Sequence, residues 1–328
     1  MTELPVIDLK DFLNQSKLSS KVATEIREAC IQYGFFYIRN HGIDETLQEQ
    51  LETISREFFA LPLSEKMKIH MSLGGSAWRG YFPIGEELTS GQPDLKEGLY
   101  FGEELTADHP LVKAKTPLHG SNLFPNYPEA LQTTVLNYIQ AMTKLGHQLM
   151  EAVSLSLGLA PNYFNQNYTS HPFTLFRIFH YPATNSRQQW GVGEHTDYGV
   201  LTILKQDDIG GLQVKSNNLW VEAPPIPNTF VCNIGDMLER ITGGLYLSTP
   251  HRVLNTSGKS RLSFPFFFDP NFKAKVATIP SLPKTSADYQ RWDHKSVYDF
   301  EGNYEEYILE KVSKVFPELD RRVKKKED

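Results

Sequence analysis

Apolar side chains recur at helical spacing through most of the first 160 residues, with two short alternating runs between them. Val22, Ile26 and Ile31 follow this spacing, and Gly34 stands where such a helix would be capped. The pattern predicts helices over residues 19–34, 45–61 and 127–159, with Pro128 in the first turn of the last helix, and strands over residues 5–9 and 35–43.

Residues 70–126 interrupt this pattern with a segment rich in glycine, proline and charge. Such a length is unusual for a connection without structure, so we expect a functional segment or strands hidden within it. Glycines are frequent in residues 70–102, and they would permit this part to close over a site as a lid. These glycines are Gly74, Gly75, Gly80 and Gly85.

After Pro161 the chain changes to short apolar runs separated by turn signals. Gly210-Gly211 and Asn217-Asn218 have the composition of hairpin turns. Many short strands at regular spacing are typical of a sandwich or barrel and not of a parallel α/β sheet. The predicted strands are residues 173–181, 199–206, 211–215, 219–223, 229–235, 236–242, 252–255 and 261–269.

Together these patterns predict a fold that is mainly β with flanking helices, in a single domain spanning residues 1–328. Residues 1–160 would form a mostly helical N-terminal part, and residues 161–275 would form the β core. Helical spacing returns at residues 301–316, so residues 276–328 are predicted to form a C-terminal helical segment.

Composition and charge narrow the class of protein. With 40% apolar and 22% charged residues the chain of 328 residues is globular in character. Its net charge of −6 argues against a nucleic-acid partner, and the basic cluster at residues 321–328 fits a solvated tail. We also expect no membrane span and no signal peptide. Two cysteines, Cys30 and Cys232, are too few for a disulfide framework and favour a cytoplasmic location.

Two polar side chains with the chemistry of metal ligands stand just ahead of an apolar run. His195 and Asp197 are two positions apart in GVGEHTDYGVLTIL (191–204), and on a strand they would point to one face. A third ligand on a later strand favours His251 among the ten histidines. Two histidines and one carboxylate form the facial triad of non-haem iron(II) oxygenases, whereas zinc more often takes a tetrahedral set. The motif alone is weak, since it also fits a surface histidine beside a carboxylate.

A second pair strengthens this interpretation. Arg261 and Ser263 share one face of a predicted strand, ten positions after His251. Guanidinium binds carboxylate bidentately, so this pair suits a bound carboxylate. An arginine buried among apolar neighbours would be costly without an anionic partner, which a bound dicarboxylate would supply. The alternative is an arginine at a strand end paired with a surface acid.

The order HTD, STPHRV and RLSFPFFF resembles the 2-oxoglutarate- and Fe(II)-dependent dioxygenases of the isopenicillin N synthase-like branch. PVIDL, GFFYIRNHGI and FRIFHYP extend the resemblance over nearly the whole chain. It implies a dioxygenase domain with a double-stranded β-helix, a jelly-roll core with helices packed outside. It also implies Fe(II) bound by His195, Asp197 and His251, and 2-oxoglutarate held at its distal carboxylate by Arg261, Ser263 and Tyr181.

The chemistry implied by this resemblance is oxidative decarboxylation of 2-oxoglutarate to succinate and CO2, coupled to oxidation of a small molecule by O2. Ascorbate would support the activity. Many plant members have an asparagine two residues before the tyrosine that matches Tyr181. Phe179 stands there in this chain, so by this feature it looks nearer to bacterial and fungal relatives. Tyr181 also fits a core aromatic residue.

The segment GYFPIGEELTSGQPDLKEGLYFG (80–102) resembles the matching loop of the ethylene-forming enzyme and of homoarginine hydroxylases. The resemblance implies that Glu87 and Thr89 bind the guanidino end of an amino acid, and that Arg177 and Tyr198 also face the substrate. An arginine can hold an α-carboxylate. Our hypothesis is hydroxylation of L-homoarginine or L-arginine. Ethylene formation is less expected, because the ethylene-forming enzyme carries an insertion that this chain lacks.

Other interpretations stay open at this point. An exposed polar loop would also explain Glu86, Glu87 and Thr89, and Lys314 matches a further substrate-side basic residue only loosely. An aromatic core with Phe179 would permit an apolar pocket, as in a hydroxylase or desaturase of a hydrophobic secondary metabolite. A non-catalytic small-molecule receptor on the same fold is disfavoured, because degenerate relatives usually lose a metal ligand.

Overall fold

Strands form two sheets and a small ribbon in the computed structural model, which describes residues 3–14, 19–89, 91–184, 190–216, 219–283 and 296–316. The strands are β1 (Val6–Asp8), β2 (Phe35–Arg39), β3 (Gly80–Phe82), β4 (Leu88–Thr89), β5 (Gln92–Pro93), β6 (Glu97–Gly102), β7 (Pro172–Tyr181), β8 (Val192–His195), β9 (Leu201–Gln206), β10 (Leu212–Ser216), β11 (Leu219–Glu222), β12 (Thr229–Ile234), β13 (His251–Val253) and β14 (Arg261–Asn271).

The major sheet has eight strands in the order β1-β2-β12-β9-β14-β7-β6-β3, and only β1 and β2 pair in parallel. The minor sheet has four antiparallel strands in the order β11-β10-β13-β8, and β4 and β5 form the ribbon. Both sheets contribute side chains to one internal pocket, so they face each other. This arrangement confirms the predicted jelly-roll core with flanking helices.

The helices lie mainly before the β core in sequence. They are α1 (Lys10–Leu13), α2 (Ser19–Gln32), α3 (Glu45–Phe59), α4 (Leu63–Lys66), α5 (Pro110–Lys113), α6 (Leu131–Ser156), α7 (Tyr163–Asn167), α8 (Asp236–Ile241) and α9 (Tyr304–Val315). Helix α6 packs against α2 and α3 and lies against β14. Gly146 of α6 gives room to the ring of Phe268, because an added Cβ would lie 2.3 Å from its Cδ2 atom.

Most of the elements predicted from apolar spacing are confirmed within a few residues. Gly34 follows α2 with a positive φ of 66°, and its N–H donates to the carbonyl of Ala29, as a helix cap does. Helix α9 begins with a capping box in which Asn303 and Glu306 bond each other's backbone N–H groups. The long segment at residues 70–126 contains strands β3 to β6, as expected for its length. The domain boundaries at residues 160 and 275 stay predictions.

Three predictions are wrong. Residues 236–242 contain helix α8 (Asp236–Ile241) instead of a strand; its six residues are too few for apolar spacing to distinguish a helix from a strand. Gly210-Gly211 joins β9 of the major sheet to β10 of the minor sheet and is not a hairpin turn. Pro128 lies in the turn before α6, where its carbonyl accepts a hydrogen bond from the Leu131 N–H.

Two further predictions fall partly or wholly outside the described residues. Asn217-Asn218 lies outside them, although β10 and β11 on either side pair antiparallel, as a hairpin requires. The basic cluster at residues 321–328 also lies outside them. None of the helices in the described ranges combines the length and apolar character needed to cross a membrane.

Gly34 follows α2 and packs against Leu247 and Thr249, which lead into β13. An added Cβ would lie 2.2 Å from the carbonyl oxygen of Leu247. We expect Gly34→Ala to lower the free energy of unfolding by more than about 2 kcal/mol, because the left-handed backbone alone costs about 1–2 kcal/mol for an L-residue and the clash with the carbonyl adds to it. Urea unfolding of the variant measures this loss.

Gly158→Ala is the matched control, because Gly158 has a similar φ of 72° and nothing lies within 4 Å of its added Cβ. This variant should lose only the backbone contribution of about 1–2 kcal/mol. Equal losses in the two variants would contradict the close approach at Gly34.

Candidate active site

One pocket between the two sheets collects every residue that the sequence nominated for the site. It is closed by residues from both sheets, from the β4–β5 ribbon and from α9. The nominated residues that line it are Glu87, Thr89, Arg177, Tyr181, His195, Asp197, Tyr198, His251, Arg261 and Ser263. Residues scattered over about half of the chain therefore meet at one place.

His195, Asp197 and His251 form a compact set of three ligand atoms, all within 4.8 Å of one another. Asp197 Oδ1 lies 3.9 Å from His195 Nε2 and 3.6 Å from His251 Nε2. His195 and His251 are register partners across β8 and β13. The prediction that His195 and Asp197 share a strand needs correction, because β8 ends at His195 and Asp197 follows it in the loop. These three ligand atoms are close enough together to bind one metal ion.

Both imidazoles are held in the tautomer that a metal requires. His195 Nδ1 lies 2.8 Å from the carbonyl of Gly193, and His251 Nδ1 lies 3.2 Å from the carbonyl of Thr249. A carbonyl can only accept, so each Nδ1 carries the proton and each Nε2 keeps a free lone pair. Burial first, and then the neighbouring His251, lower the pKa of His195 to about 3, which keeps its ring neutral.

The carboxylate of Asp197 is oriented by two donors from the major sheet. Thr202 Oγ1 and Asn233 Nδ2 each donate to Asp197 Oδ2 at 2.6 Å, which leaves Oδ1 facing the histidines. Burial alone would raise the pKa of Asp197, but the net shift is downward and the hydrogen bonds from Asn233 and Thr202 contribute to it, so the group is ionised. Two imidazoles with a free Nε2 and an ionised carboxylate are the donor set of a non-haem Fe(II) centre.

Arg261 is fully buried at 0% exposure, and its guanidinium is only partly satisfied. Its Nε donates to the carbonyl of Ile209 and its Nη2 to Gln206 Oε1, each at 3.2 Å. Its Nη1 is buried and has no hydrogen-bond partner among the described residues. Such a cation requires an anionic partner, and a carboxylate in the pocket would provide one.

Tyr181 and Ser263 lie beside this arginine. Tyr181 pairs with Arg261 across β7 and β14, and the Arg261 Cζ atom lies 4.9 Å from the centroid of the Tyr181 ring. Ser263 Oγ lies 3.5 Å from the Tyr181 hydroxyl. Two hydroxyls and an unsatisfied guanidinium nitrogen thus line the same part of the pocket, which suits the distal carboxylate of 2-oxoglutarate.

Glu87 is buried in the pocket at 4% exposure, so the exposed-loop alternative is wrong for this residue. The Tyr100 hydroxyl donates to its Oε1 at 2.6 Å, and Arg177 Nη1 lies 3.7 Å from the same oxygen. Burial alone would raise the pKa of Glu87, but Lys96, Arg177 and the Tyr100 hydroxyl lower it, so the carboxylate is ionised. Glu86, in contrast, is exposed and bonds His70 at 2.9 Å.

Lys96 and Asp94 are site residues that the sequence did not nominate. Lys96 Nζ lies 3.0 Å from Glu87 Oε2 and 2.5 Å from Asp94 Oδ2. Thr89 Oγ1 also donates to Asp94 Oδ2, at 2.5 Å. Their spacing in PDLKEG, with an acid and a base two positions apart just before β6, was the signal available.

Arg177 and Asp269 complete the charged lining. The Arg177 guanidinium lies between the rings of Tyr100 and Phe267, with its Cζ at 4.2 Å and 4.8 Å from their centroids, and its Nε has no hydrogen-bond partner within the described ranges. Asp269 Oδ2 accepts from the Tyr304 hydroxyl at 2.6 Å. Burial raises the pKa of Asp269 to about 7.

Helix α9 supplies an apolar wall through Ile308, Val312 and Val315, which Phe316 extends. Lys314 of the same helix is half exposed and pairs with Glu310, and it does not line the pocket. Lys314 therefore does not take the place of the substrate-side basic residue that it loosely matches in sequence. Arg177 and Lys96 are the cations of the described residues that line the pocket besides Arg261.

The comparisons with known proteins agree with this geometry. A model of the 2OG-Fe(II) oxygenase superfamily matches residues 165–270, and a model of the N-terminal region of non-haem dioxygenases in morphine synthesis matches residues 4–127. The chain belongs to the 2-oxoglutarate- and Fe(II)-dependent oxygenases. It is therefore an enzyme that uses Fe(II) and 2-oxoglutarate, and not a receptor on the same fold.

Three relatives show how far the similarity extends. A probable iron/ascorbate oxidoreductase of Dictyostelium discoideum is 51% identical and covers 98% of this chain and 97% of its own length. A 1-aminocyclopropane-1-carboxylate oxidase of the same organism is 41% identical, covering 96% of each. A homoarginine-6-hydroxylase of Glycine max is 36% identical and covers 90% of this chain and 94% of its own.

Solved structures give the same family. A full-length Neurospora crassa protein, crystallised in complex with alpha-KG, has a TM-score of 0.78 at 30% identity, covering 94% of this chain and 96% of its own. A rice dioxygenase for auxin oxidation has a TM-score of 0.71 at 26% identity, covering 95% of each chain. These neighbours share the jelly-roll arrangement of sheets and flanking helices.

The hydrogen bond from Thr202 to Asp197 should matter for the metal. We expect Thr202→Val, which removes the donor at nearly constant shape, to weaken Fe(II) affinity about 10–100-fold, the usual effect of losing a partner that orients a ligand. Anaerobic titration with Fe(II), followed by calorimetry, measures the affinity.

Thr229→Val provides the control, because the Thr229 hydroxyl bonds the carbonyl of Ile226 at the far end of β12. This variant should bind Fe(II) as the parent does. An unchanged affinity in Thr202→Val would contradict the role given to this bond.

Proposed function

We propose that His195, Asp197 and His251 bind the Fe(II), and that a second set of residues holds the distal carboxylate of 2-oxoglutarate. The support for the metal set is three convergent ligand atoms, namely the Nε2 atoms of two imidazoles whose Nδ1 faces a backbone carbonyl and one oxygen of an ionised carboxylate. The support for the second set is the unsatisfied nitrogen of a fully buried guanidinium beside two hydroxyls. That second set is Arg261, Ser263 and Tyr181.

When bound, Fe(II) and 2-oxoglutarate supply the means to oxidise a C–H bond with O2. The residues of this chain supply position and exclusion of water. The second oxygen of Asp197 stays committed to Thr202 and Asn233, so the carboxylate offers one ligand atom in a fixed direction. The apolar wall of α9 shields the pocket from solvent, which strengthens the charged contacts inside it.

We propose that the substrate is a free guanidino amino acid, L-homoarginine or L-arginine, and that the enzyme hydroxylates it. The observation that carries this proposal is the buried, ionised Glu87 in the same pocket as the metal ligands. A carboxylate is the natural partner of a guanidinium. The similarity to homoarginine-6-hydroxylases, at 36% identity in Glycine max, supports it as well.

The remaining substrate-side residues fit the same molecule. Arg177 has a buried Nε without a partner among the described residues, and its one ion-pair contact, to Glu87, is long at 3.7 Å. It is therefore able to hold the α-carboxylate. Thr89 and Tyr198 also line the pocket, where the Tyr198 hydroxyl could donate to the substrate and the Thr89 hydroxyl, which donates to Asp94, could accept from it.

A hydrophobic secondary metabolite is the second candidate. The observation in its favour is the apolar wall of Ile308, Val312, Val315 and Phe316. A hydroxylase or desaturase of such a compound would leave Glu87 and Arg177 facing each other without a charged ligand. Their ion pair would then serve the structure alone.

Substrate-stimulated turnover of 2-oxoglutarate separates these candidates. With Fe(II), ascorbate and O2, we expect L-homoarginine or L-arginine to increase succinate release at least about tenfold over the uncoupled rate, because a substrate fixed near the metal couples the two half-reactions. L-lysine and an apolar panel should not do so. Mass spectrometry should show a gain of one oxygen atom in the guanidino acid.

His195→Ala is the negative control, and it should lose both Fe(II) binding and turnover. Full activity in this variant would overturn the assignment of the metal ligands. Stimulation by an apolar compound, with none by guanidino acids, would favour the second candidate instead.

The role of Arg261 is tested separately. We expect Arg261→Leu to raise the KM for 2-oxoglutarate about 10–100-fold, because a charge-assisted hydrogen bond contributes about 1.5–3 kcal/mol. Steady-state kinetics at varied 2-oxoglutarate measures the change. Arg252→Leu is the matched control, because Arg252 lies between the rings of Trp190 and Trp220 and outside the pocket. A parent-like KM in Arg261→Leu would contradict the assignment.

A further inference from the structure

Lys96 forms ion pairs with Glu87 and Asp94, the carboxylates available to a cationic substrate. Its side chain is 2% exposed, and its Nζ contacts Glu87 Oε2 at 3.0 Å and Asp94 Oδ2 at 2.5 Å. The same atom lies 4.7 Å from the centroid of the Phe179 ring, inside the pocket. Burial alone would lower the pKa of Lys96, but Glu87 and Asp94 raise it, so the ammonium stays charged.

Both oxygens of Glu87 lie close to polar groups of the chain. Oε1 accepts a hydrogen bond from the Tyr100 hydroxyl, whereas Oε2 lies at ion-pair distance, 3.0 Å, from Lys96 Nζ and has no hydrogen-bond partner among the described residues. A guanidinium that approaches Glu87 must share this carboxylate with the ammonium or move the ammonium aside. In a buried site the repulsion between two cations is only weakly screened. The contact between Lys96 and Glu87 thus opposes the binding of cationic substrates.

Lys96 is better suited than Arg177 to compete with the substrate's guanidinium for the Glu87 carboxylate. Arg177 is fixed between two aromatic rings, and its nearest contact with Glu87 is 3.7 Å. The lysine ammonium is a compact point charge on a flexible chain, so it can withdraw along Asp94 while it keeps one carboxylate partner. Asp94 would then hold the Lys96 ammonium when Glu87 binds the substrate's guanidinium.

We propose that Lys96 determines how strongly the pocket selects for a cationic substrate, by holding Glu87 and Asp94 in the place of the substrate's guanidinium. This inference rests on the proposed function for the identity of the substrate. The selection is a difference between two affinities, one for a charged ligand and one for its neutral counterpart.

The test compares L-homoarginine with L-homocitrulline, which replaces the guanidinium by a neutral urea group at the same chain length. Calorimetry on the anaerobic enzyme loaded with Fe(II) and 2-oxoglutarate gives the Kd of each ligand without turnover. In Lys96→Met we expect the Kd for L-homoarginine to fall about tenfold or more relative to that for L-homocitrulline, because a charge-assisted contact to Glu87 becomes available.

Two further variants separate the effect of the Lys96 charge from an effect on folding. Lys96→Arg keeps the cation and should keep the ratio of the two Kd values close to that of the parent. The double variant Lys96→Met with Asp94→Asn removes one cation and one anion, which avoids an unpaired buried carboxylate at Asp94. It should raise the preference for L-homoarginine as the single variant does. Thermal unfolding of each protein verifies that it is folded.

The outcomes distinguish this inference from the proposed function. If the parent binds neither ligand but Lys96→Met or the double variant gains L-homoarginine, the proposed substrate is wrong and the role of Lys96 stands. If the affinities for both ligands fall together, with the ratio unchanged in every folded variant, Lys96 only supports the structure and the inference is overturned. A stronger preference for the neutral ligand in Lys96→Met would also overturn it.

Discussion

The carboxylate of Asp197 lies between the two sheets of this enzyme, and the spacing of the proposed metal ligands depends on that position. One oxygen accepts hydrogen bonds from Thr202 on β9 and Asn233 on β12, both in the major sheet. The other oxygen faces His195 and His251, which pair across the minor sheet. A shift of one sheet against the other would separate the ligands, so the jelly-roll packing itself sets the spacing of the metal donors.

Compensation of buried charge is the second principle on which the pocket is built. Arg261 is satisfied on two nitrogens by the protein and leaves one for a carboxylate. Lys96 forms ion pairs with both Glu87 and Asp94. The first arrangement leaves a buried donor without a partner, whereas the second pairs one ammonium with two carboxylates. In the proposed function, the first would serve affinity for 2-oxoglutarate and the second would serve selection of the substrate.

The sequence specifies the positions of the proposed metal ligands more directly than those of Lys96 and Asp94, for physical reasons. His195, His251 and Arg261 lie on strands that contribute to one pocket, and Asp197 follows β8 by two residues. Lys96 and Asp94 lie in the loop between β5 and β6 and contact Glu87 and Thr89, and no periodicity specifies which polar side chains of a loop turn inward. The error at residues 236–242 has a related cause, because the six residues of α8 are too few for apolar spacing to distinguish a helix from a strand.

This division between the proposed metal ligands and the other pocket residues also explains how one family can serve different substrates. The metal ligands and Arg261 belong to the β core, where a change of spacing would disturb the packing of both sheets. Thr89 lies on β4, Glu87 stands just before that strand, and the apolar wall lies on α9 and at Phe316, so all of them are outside the two large sheets. A change at these positions does not alter the strands that carry the proposed metal ligands. The Dictyostelium and Glycine relatives carry names for different substrates at similar coverage of the chain, as this separation allows. We therefore expect a change of substrate within this family to involve the residues on and beside the ribbon, such as Glu87, Thr89 and Lys96, more than the strands that carry the proposed metal ligands.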